Sequence, residues 1–146
     1  MAAERTAEAT WNGDLTGGSG TIESVGSGAF GPLAVTWAAR AEPDSDGKTS
    51  PEELIAAAHA TCFSMALAND LAQAGTAPES LSTVARVTFV PGTGITSSEL
   101  VVDGVVHGID DATFQEAART ARDNCPVSKA LAGNVELAVT ARLRGS

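Results

Sequence analysis

The chain has 146 residues, with 18 acidic against 9 basic side chains and a formal charge of −9. That length suits a single domain over residues 1–146 with one core. The charge repels nucleic-acid phosphates and anionic lipid surfaces, which argues against nucleic acid or a membrane as partner.

The N-terminus, MAAERTAEATWNG, carries charge where a secretory signal needs an apolar stretch, so a cytoplasmic protein is expected. In WNGDLTGGSGTIES, turn residues at Asn12-Gly13 and Gly17-Gly18 predict a hairpin between about Thr6–Trp11 and Gly20–Ser24. A third strand is expected over Leu33–Ala39, followed by a polar connecting loop, AEPDSDGK, at residues 41–48.

Ser50-Pro51-Glu52-Glu53 fits a capping box, with serine at the N-cap, proline at the first helical position and Glu53 three residues past the cap. The helix it opens should run to about Ala74, where Gly75 supplies the stop. Its longest apolar run, Leu54 to Ala68, falls short of the ~20 residues that span a bilayer and reads as a buried helix.

Beyond it, Leu81, Ala85, Val87 and Phe89 alternate along a strand, with Glu99–His107 as its partner across the loop 91–98. Asp110 or Asp111 caps a helix with Phe114, Ala117, Ala118 and Ala121 on one stripe, ending near Asn124. A helical turn over Pro126–Leu131 and a closing strand over Val135–Leu143 complete an α+β order. The long helix is apolar nearly all round, whereas a helix on one small sheet keeps a polar face. An obligate homodimer would cover it.

Reactive candidates cluster on this helix and near the C-terminal third. His59 and Cys62 are neighbours at i, i+3, either as buried core residues or as part of a reactive site. Cys125 precedes Pro126 and so takes an N-cap, where unpaired N–H groups favour a thiolate; alternatively it fills a cap that serine fills more often. A zinc site built from His59, Cys62, Cys125 and a carboxylate is a weaker alternative, because no Cys-x-x-Cys or His-x-His pair is present.

Glu53 is used by the cap, which leaves Glu52 free. Glu52 and Cys62 lie about 15 Å apart along the helix axis at ~1.5 Å per residue, too far for direct contact. A long cation such as Arg40 could bridge them, holding the carboxylate with one edge of its guanidinium and a thiolate with another; a solvated surface arginine is the alternative.

Arg40, SPEEL at 50–54, AAHATCFSMAL at 57–67 and NCPVSK at 124–129 together resemble the osmotically inducible and organic hydroperoxide resistance proteins, the OsmC/Ohr family. Trp11-Asn12-Gly13-Asp14, the glycine-rich turn and the last strand fit as well, and PEELIAAAHA with CPVSKAL points to the OsmC branch. The resemblance implies an OsmC-like fold: two antiparallel sheets, a long buried central helix and an intertwined homodimer with active sites at the interface.

It also implies a thiol-dependent peroxidase for organic hydroperoxides, and hydrogen peroxide as a further substrate. Cys62 would attack the peroxide and become a sulfenic acid, and Cys125 would resolve it as a Cys62–Cys125 disulfide. Arg40 would stabilise the Cys62 thiolate and the departing oxygen, with Glu52 orienting Arg40. No metal or cofactor is implied, His59 lines the pocket, and a dithiol such as a dihydrolipoyl protein would return the enzyme to its reduced form.

Helix-end physics favours Cys125 as the more acidic thiol, whereas the family assigns first attack to Cys62. Depression of the Cys62 pKa by Arg40, and an apolar pocket suited to a lipid-like peroxide, would reconcile the two. The competing reading is a non-enzymatic module that binds a lipid or small hydrophobe and uses its cysteines structurally.

Overall fold

A computed structural model describes residues 1–144. Its elements run β1 (Ala7–Asn12), β2 (Ser19–Val25), β3 (Leu33–Val35), α1 (Trp37–Ala41), α2 (Pro51–Gln73), β4 (Ser80–Val90), β5 (Gly94–Val105), α3 (Asp111–Asn124), α4 (Pro126–Leu131) and β6 (Glu136–Leu143). The chain divides into two compact units, Met1–Leu54 and the remainder from Ile55 onward.

In the first unit, β1, β2 and β3 form an antiparallel sheet in that order. Every residue of β1 is exposed, so the strand has no buried face within the single chain. The third strand is shorter than its sequence suggests. Thr36 leaves the ladder to cap α1, its Oγ1 accepting the Ala39 N–H at 3.1 Å, so Arg40 sits on a helical turn rather than at a strand end. Ten residues after Arg40, Ser50 Oγ accepts the Glu53 N–H at 3.1 Å and starts α2 as expected. The reciprocal half of the capping box is replaced: the Glu53 carboxylate takes the Thr49 hydroxyl at 2.8 Å.

The second unit holds the apolar core. Phe63, Leu67 and Leu71 of α2 pack with Leu100 and Val102 of β5 and with Phe114, Ala118 and Ala121 of α3, and Cys125 closes the cluster. β4 and β5 pair antiparallel through a tight turn at residues 91–93, so the polar stretch 94–98, expected as loop, is strand. β6 pairs with β5 in parallel. This corrects the expectation of two antiparallel sheets: the second is mixed. The reason is the α3–α4 connection, which carries the chain back to the start of the sheet, as parallel neighbours require.

Within α2, His59, Phe63, Leu67 and Leu71 recur every fourth residue and form the buried face. On the other side Ala58, Thr61, Met65, Asn69 and Ala72 make an exposed stripe, with Met65 68% exposed. The expected long buried helix is thus buried on one face only in the single chain. By length and hydropathy alone α2 could cross a bilayer, but its inner face is a packed core containing a hydrogen-bonded histidine.

Packing at the centre is close. A Cβ added to Gly104 of β5 would fall onto the ring of Phe114, itself fully buried, and 3.2 Å from Leu81 Cδ2. Gly104→Ala should therefore destabilise the protein by about 1–3 kcal/mol, the usual cost of overpacking. Chemical denaturation checks this, and an unchanged midpoint would show that the ring moves freely.

Candidate active site

The four residues singled out by sequence form two pairs. In the first unit Arg40 of α1 grips Glu52 in the first turn of α2. Arg40 Nε donates to Oε1 at 3.0 Å and to Oε2 at 3.2 Å, and Nη2 donates to Oε2 at 2.9 Å. This side-on fork, made by one edge of the group, is the geometry that a guanidinium, and not an ammonium, offers a carboxylate. The Glu52 side chain is 8% exposed and that of Arg40 31%, so the carboxylate is buried and compensated while the cation keeps access to solvent.

In the second unit Cys62 and Cys125 come together, both as free thiols. Pro126 ends α3 and begins α4, and Cys125 serves both helices. Its N–H donates to Ala121 O at 2.9 Å as the C-cap of α3, and its Sγ accepts the Ser128 N–H at 3.3 Å as the N-cap of α4. Cys62 approaches the same helix start from α2, near enough for the Val127 backbone N–H and for Cys125 to act on its titration.

Burial pushes the Cys62 thiol up from its ordinary value. The Val127 N–H pulls the other way, and the neighbouring Cys125 pushes it up again. The net direction is upward, whereas the sequence argument expected a depressed thiol.

His59 is fully buried, and both its ring nitrogens are taken. Nδ1 lies 2.6 Å from Ser98 Oγ on β5, and Nε2 lies 2.7 Å from Ser128 Oγ on α4. Burial lowers its pKa. It is a satisfied core histidine, as one of the two sequence readings held, and it is not oriented toward a metal; among the described residues no group of three or more His, Cys, Asp or Glu side chains gathers to hold one. Ser128 Oγ is also 3.0 Å from Cys125 Sγ.

Neither Ser98 nor Ser128 is legible as a site residue in the sequence. The one signal for Ser128 is its position three residues past an N-cap, where its backbone N–H must meet the capping side chain.

A cleft of about 710 Å³ opens between α2 and α3, lined in part by Ala66, Asn69, Asp70, Thr113, Glu116 and Thr120. Neither cysteine lines it, so the chemistry is better located by the sulfurs than by the cleft.

Comparison with known proteins gives a consistent answer. The family described as OsmC-like protein matches residues 43–140. The peroxiredoxin OsmC of Escherichia coli (strain K12) is 39% identical over 140 residues, covering 94% of this chain and 96% of that protein. The uncharacterized protein YmaD of Bacillus subtilis (strain 168) is 28% identical, covering 94% and 92%.

Among solved structures, the organic hydroperoxide resistance protein OhrB of Bacillus subtilis superposes with a TM-score of 0.63 at 25% identity, over 95% of this chain and 98% of that one. An organic hydroperoxide resistance protein from Elizabethkingia anophelis reaches 0.72 at 24% identity, over 99% and 100%, a likeness of fold. The two three-stranded sheets and long helix are thus the OsmC-like fold, and with a family match over most of its length and a 39% identical relative along nearly all of it, the chain belongs to the OsmC-like protein family.

Proposed function

We propose that this chain is a cysteine-based peroxidase that reduces organic hydroperoxides, with Cys62 as the attacking and Cys125 as the resolving thiol. The observation that carries the reading is the approach of two free thiols, from α2 and from the α3–α4 junction, at the start of α4. Its homology to the peroxiredoxin OsmC supports the same chemistry.

The thiolate of Cys62 attacks the terminal peroxide oxygen, the O–O bond breaks, and the alkoxide leaves as alcohol after taking a proton. Cys62 is then a sulfenic acid. Cys125 attacks its sulfur, the S–O bond breaks, and water leaves a Cys62–Cys125 disulfide. A dithiol, such as a dihydrolipoyl group, returns both thiols by exchange and becomes a disulfide itself. This cycle suits the reducing cytoplasm, where a standing structural disulfide would not persist.

The raised pKa of Cys62 creates a requirement: something must favour its thiolate when peroxide arrives. We assign that task to the Arg40 guanidinium, held in one orientation by Glu52. It would also receive the negative charge that grows on the departing oxygen.

The assembly is proposed as a homodimer. The exposed stripe through Ala58 and Met65 of α2, and a sheet whose β1 has no buried face, both call for cover that the single chain does not provide.

Intact-protein mass spectrometry with one equivalent of tert-butyl hydroperoxide tests the central claim. Loss of two hydrogens, mapped by peptides to a Cys62–Cys125 link, is expected. An unchanged mass, with a retained acyl ligand in the native spectrum, would replace this reading with the lipid-binding one.

A further inference from the structure

We infer that Ser128 and His59 form a proton relay that activates Cys125 for the resolving step, with Ser98 fixing the far end. This rests on the proposed role of Cys125. His59 lies on α2 beside the attacking cysteine in sequence, yet its ring is tied to the resolving one.

Three contacts form an unbroken line: Cys125 Sγ to Ser128 Oγ at 3.0 Å, Ser128 Oγ to His59 Nε2 at 2.7 Å, and His59 Nδ1 to Ser98 Oγ at 2.6 Å. All four side chains are buried, with Ser128 1% exposed and His59, Ser98 and Cys125 at 0%. Each comes from a different element (α2, β5, α4 and the α3–α4 junction), so the line is held by the fold rather than by one flexible loop.

The polarity of the line is what makes it a relay. In the resting form the Cys125 S–H donates to Ser128 Oγ, the Ser128 O–H donates to Nε2, and Nδ1–H donates to Ser98 Oγ. Shifting one proton along each of the first two bonds leaves a Cys125 thiolate and a His59 imidazolium. Now Nε2–H donates to Ser128 Oγ and the Ser128 O–H donates to the thiolate, which also keeps the Ser128 backbone N–H at 3.3 Å. No heavy atom need move. Ser98 accepts from Nδ1 in both forms and holds the ring so that Nε2 faces Ser128.

The balance closes in the next step. The Cys125 thiolate donates an electron pair to the sulfenic sulfur of Cys62, forming the S–S bond as the S–O bond breaks. Cys125 is oxidised and the sulfenic sulfur reduced. The departing hydroxide takes the proton that His59 held and leaves as water, and His59 is neutral again. Burial, which disfavours the imidazolium, makes it a short-lived proton holder rather than a resting charge. Ser128 touches a reacting atom and acts catalytically; His59 and Ser98 act through it.

Rapid mixing with one equivalent of tert-butyl hydroperoxide, quenched with a sulfenic-acid trap and read by mass, separates Cys62 oxidation from disulfide formation. In Ser128→Ala and His59→Gln, disulfide formation should slow roughly 10²-fold relative to Cys62 oxidation, the usual worth of positioned proton transfer. Its pH profile should also change shape. In the wild type the rate is level above the histidine titration and falls on the acid side; in His59→Gln it climbs about tenfold per pH unit, following unassisted thiol ionisation.

Ser128→Thr, which keeps the hydroxyl, should recover most of the rate. Folded Ser128→Ala or His59→Gln protein that resolves at the wild-type rate, or that slows equally at every pH, overturns the relay. Wild-type protein that forms no Cys62–Cys125 disulfide overturns instead the assignment on which the relay rests.

Discussion

Cys62→Ser is expected to remove peroxide turnover, lowering kcat/KM by at least about 10³-fold, the scale on which loss of a nucleophile acts. A serine hydroxyl in the same half-buried position is not ionised at neutral pH and cannot pass through a sulfenic acid. Cys125→Ser should behave differently. It still consumes one equivalent of peroxide, then stops with Cys62 as a sulfenic acid that a trapping reagent captures. Turnover assays with a dithiol and trapping on both variants make the comparison. Turnover by Cys62→Ser at the wild-type rate would end the peroxidase proposal. Sustained turnover by Cys125→Ser would show that the external thiol resolves Cys62 directly, and would reduce Cys125 to its capping role.

The second large effect is expected at Arg40. Its guanidinium makes three hydrogen bonds to Glu52 through one edge, Nε and Nη2, and the carboxylate it holds is nearly buried. Arg40→Ala should lower the rate of Cys62 oxidation by roughly 10²–10³-fold, the range for loss of a donor to developing charge. It should also cost stability, about 1–3 kcal/mol once the partial exposure of the arginine is allowed for, because the Glu52 carboxylate loses its charge partner.

Arg40→Lys separates the two effects. The charge remains but the fork is lost, so stability should recover further than activity. Peroxide kinetics with a denaturation curve for each variant decide the matter. An Arg40→Ala protein that oxidises Cys62 at the wild-type rate would leave the Arg40–Glu52 pair a structural contact.

How far the sequence discloses this arrangement depends on the range of the interaction. The α2 cap at Ser50, the α3 cap at Asp110 and the α4 boundaries are written within four residues each and read correctly. The Arg40–Glu52 contact was accessible because Glu52, freed from the cap, called for a long cation that could reach toward Cys62, and a guanidinium can hold the carboxylate with one edge.

What short-range pattern could not disclose was β6 lying parallel to β5, since alternation fixes a strand's faces and not its direction. The same limit hid Ser98. In GITSSE it reads as part of a polar loop, and only the β4 ladder draws it into the core beneath His59. Thr36 was the opposite case, a local cap concealed within a run that also suits a strand. The upward shift of Cys62 required knowing what buries it, which no local pattern contains.

The double cap at Cys125 gives the redox state a mechanical meaning. Its sulfur holds the first turn of α4 by accepting the Ser128 N–H while its own N–H closes α3. In the proposed disulfide, a sulfur bonded to Cys62 would be a poorer acceptor and would turn toward its new partner, so oxidation would loosen a latch between two helices that the thiol keeps shut. The Ser128 amide should then exchange with solvent faster in the disulfide form than in the dithiol form, an order that hydrogen exchange would reveal. A reductant would thus meet a disulfide on a slackened helix start, and the closed latch would signal that the cycle had finished.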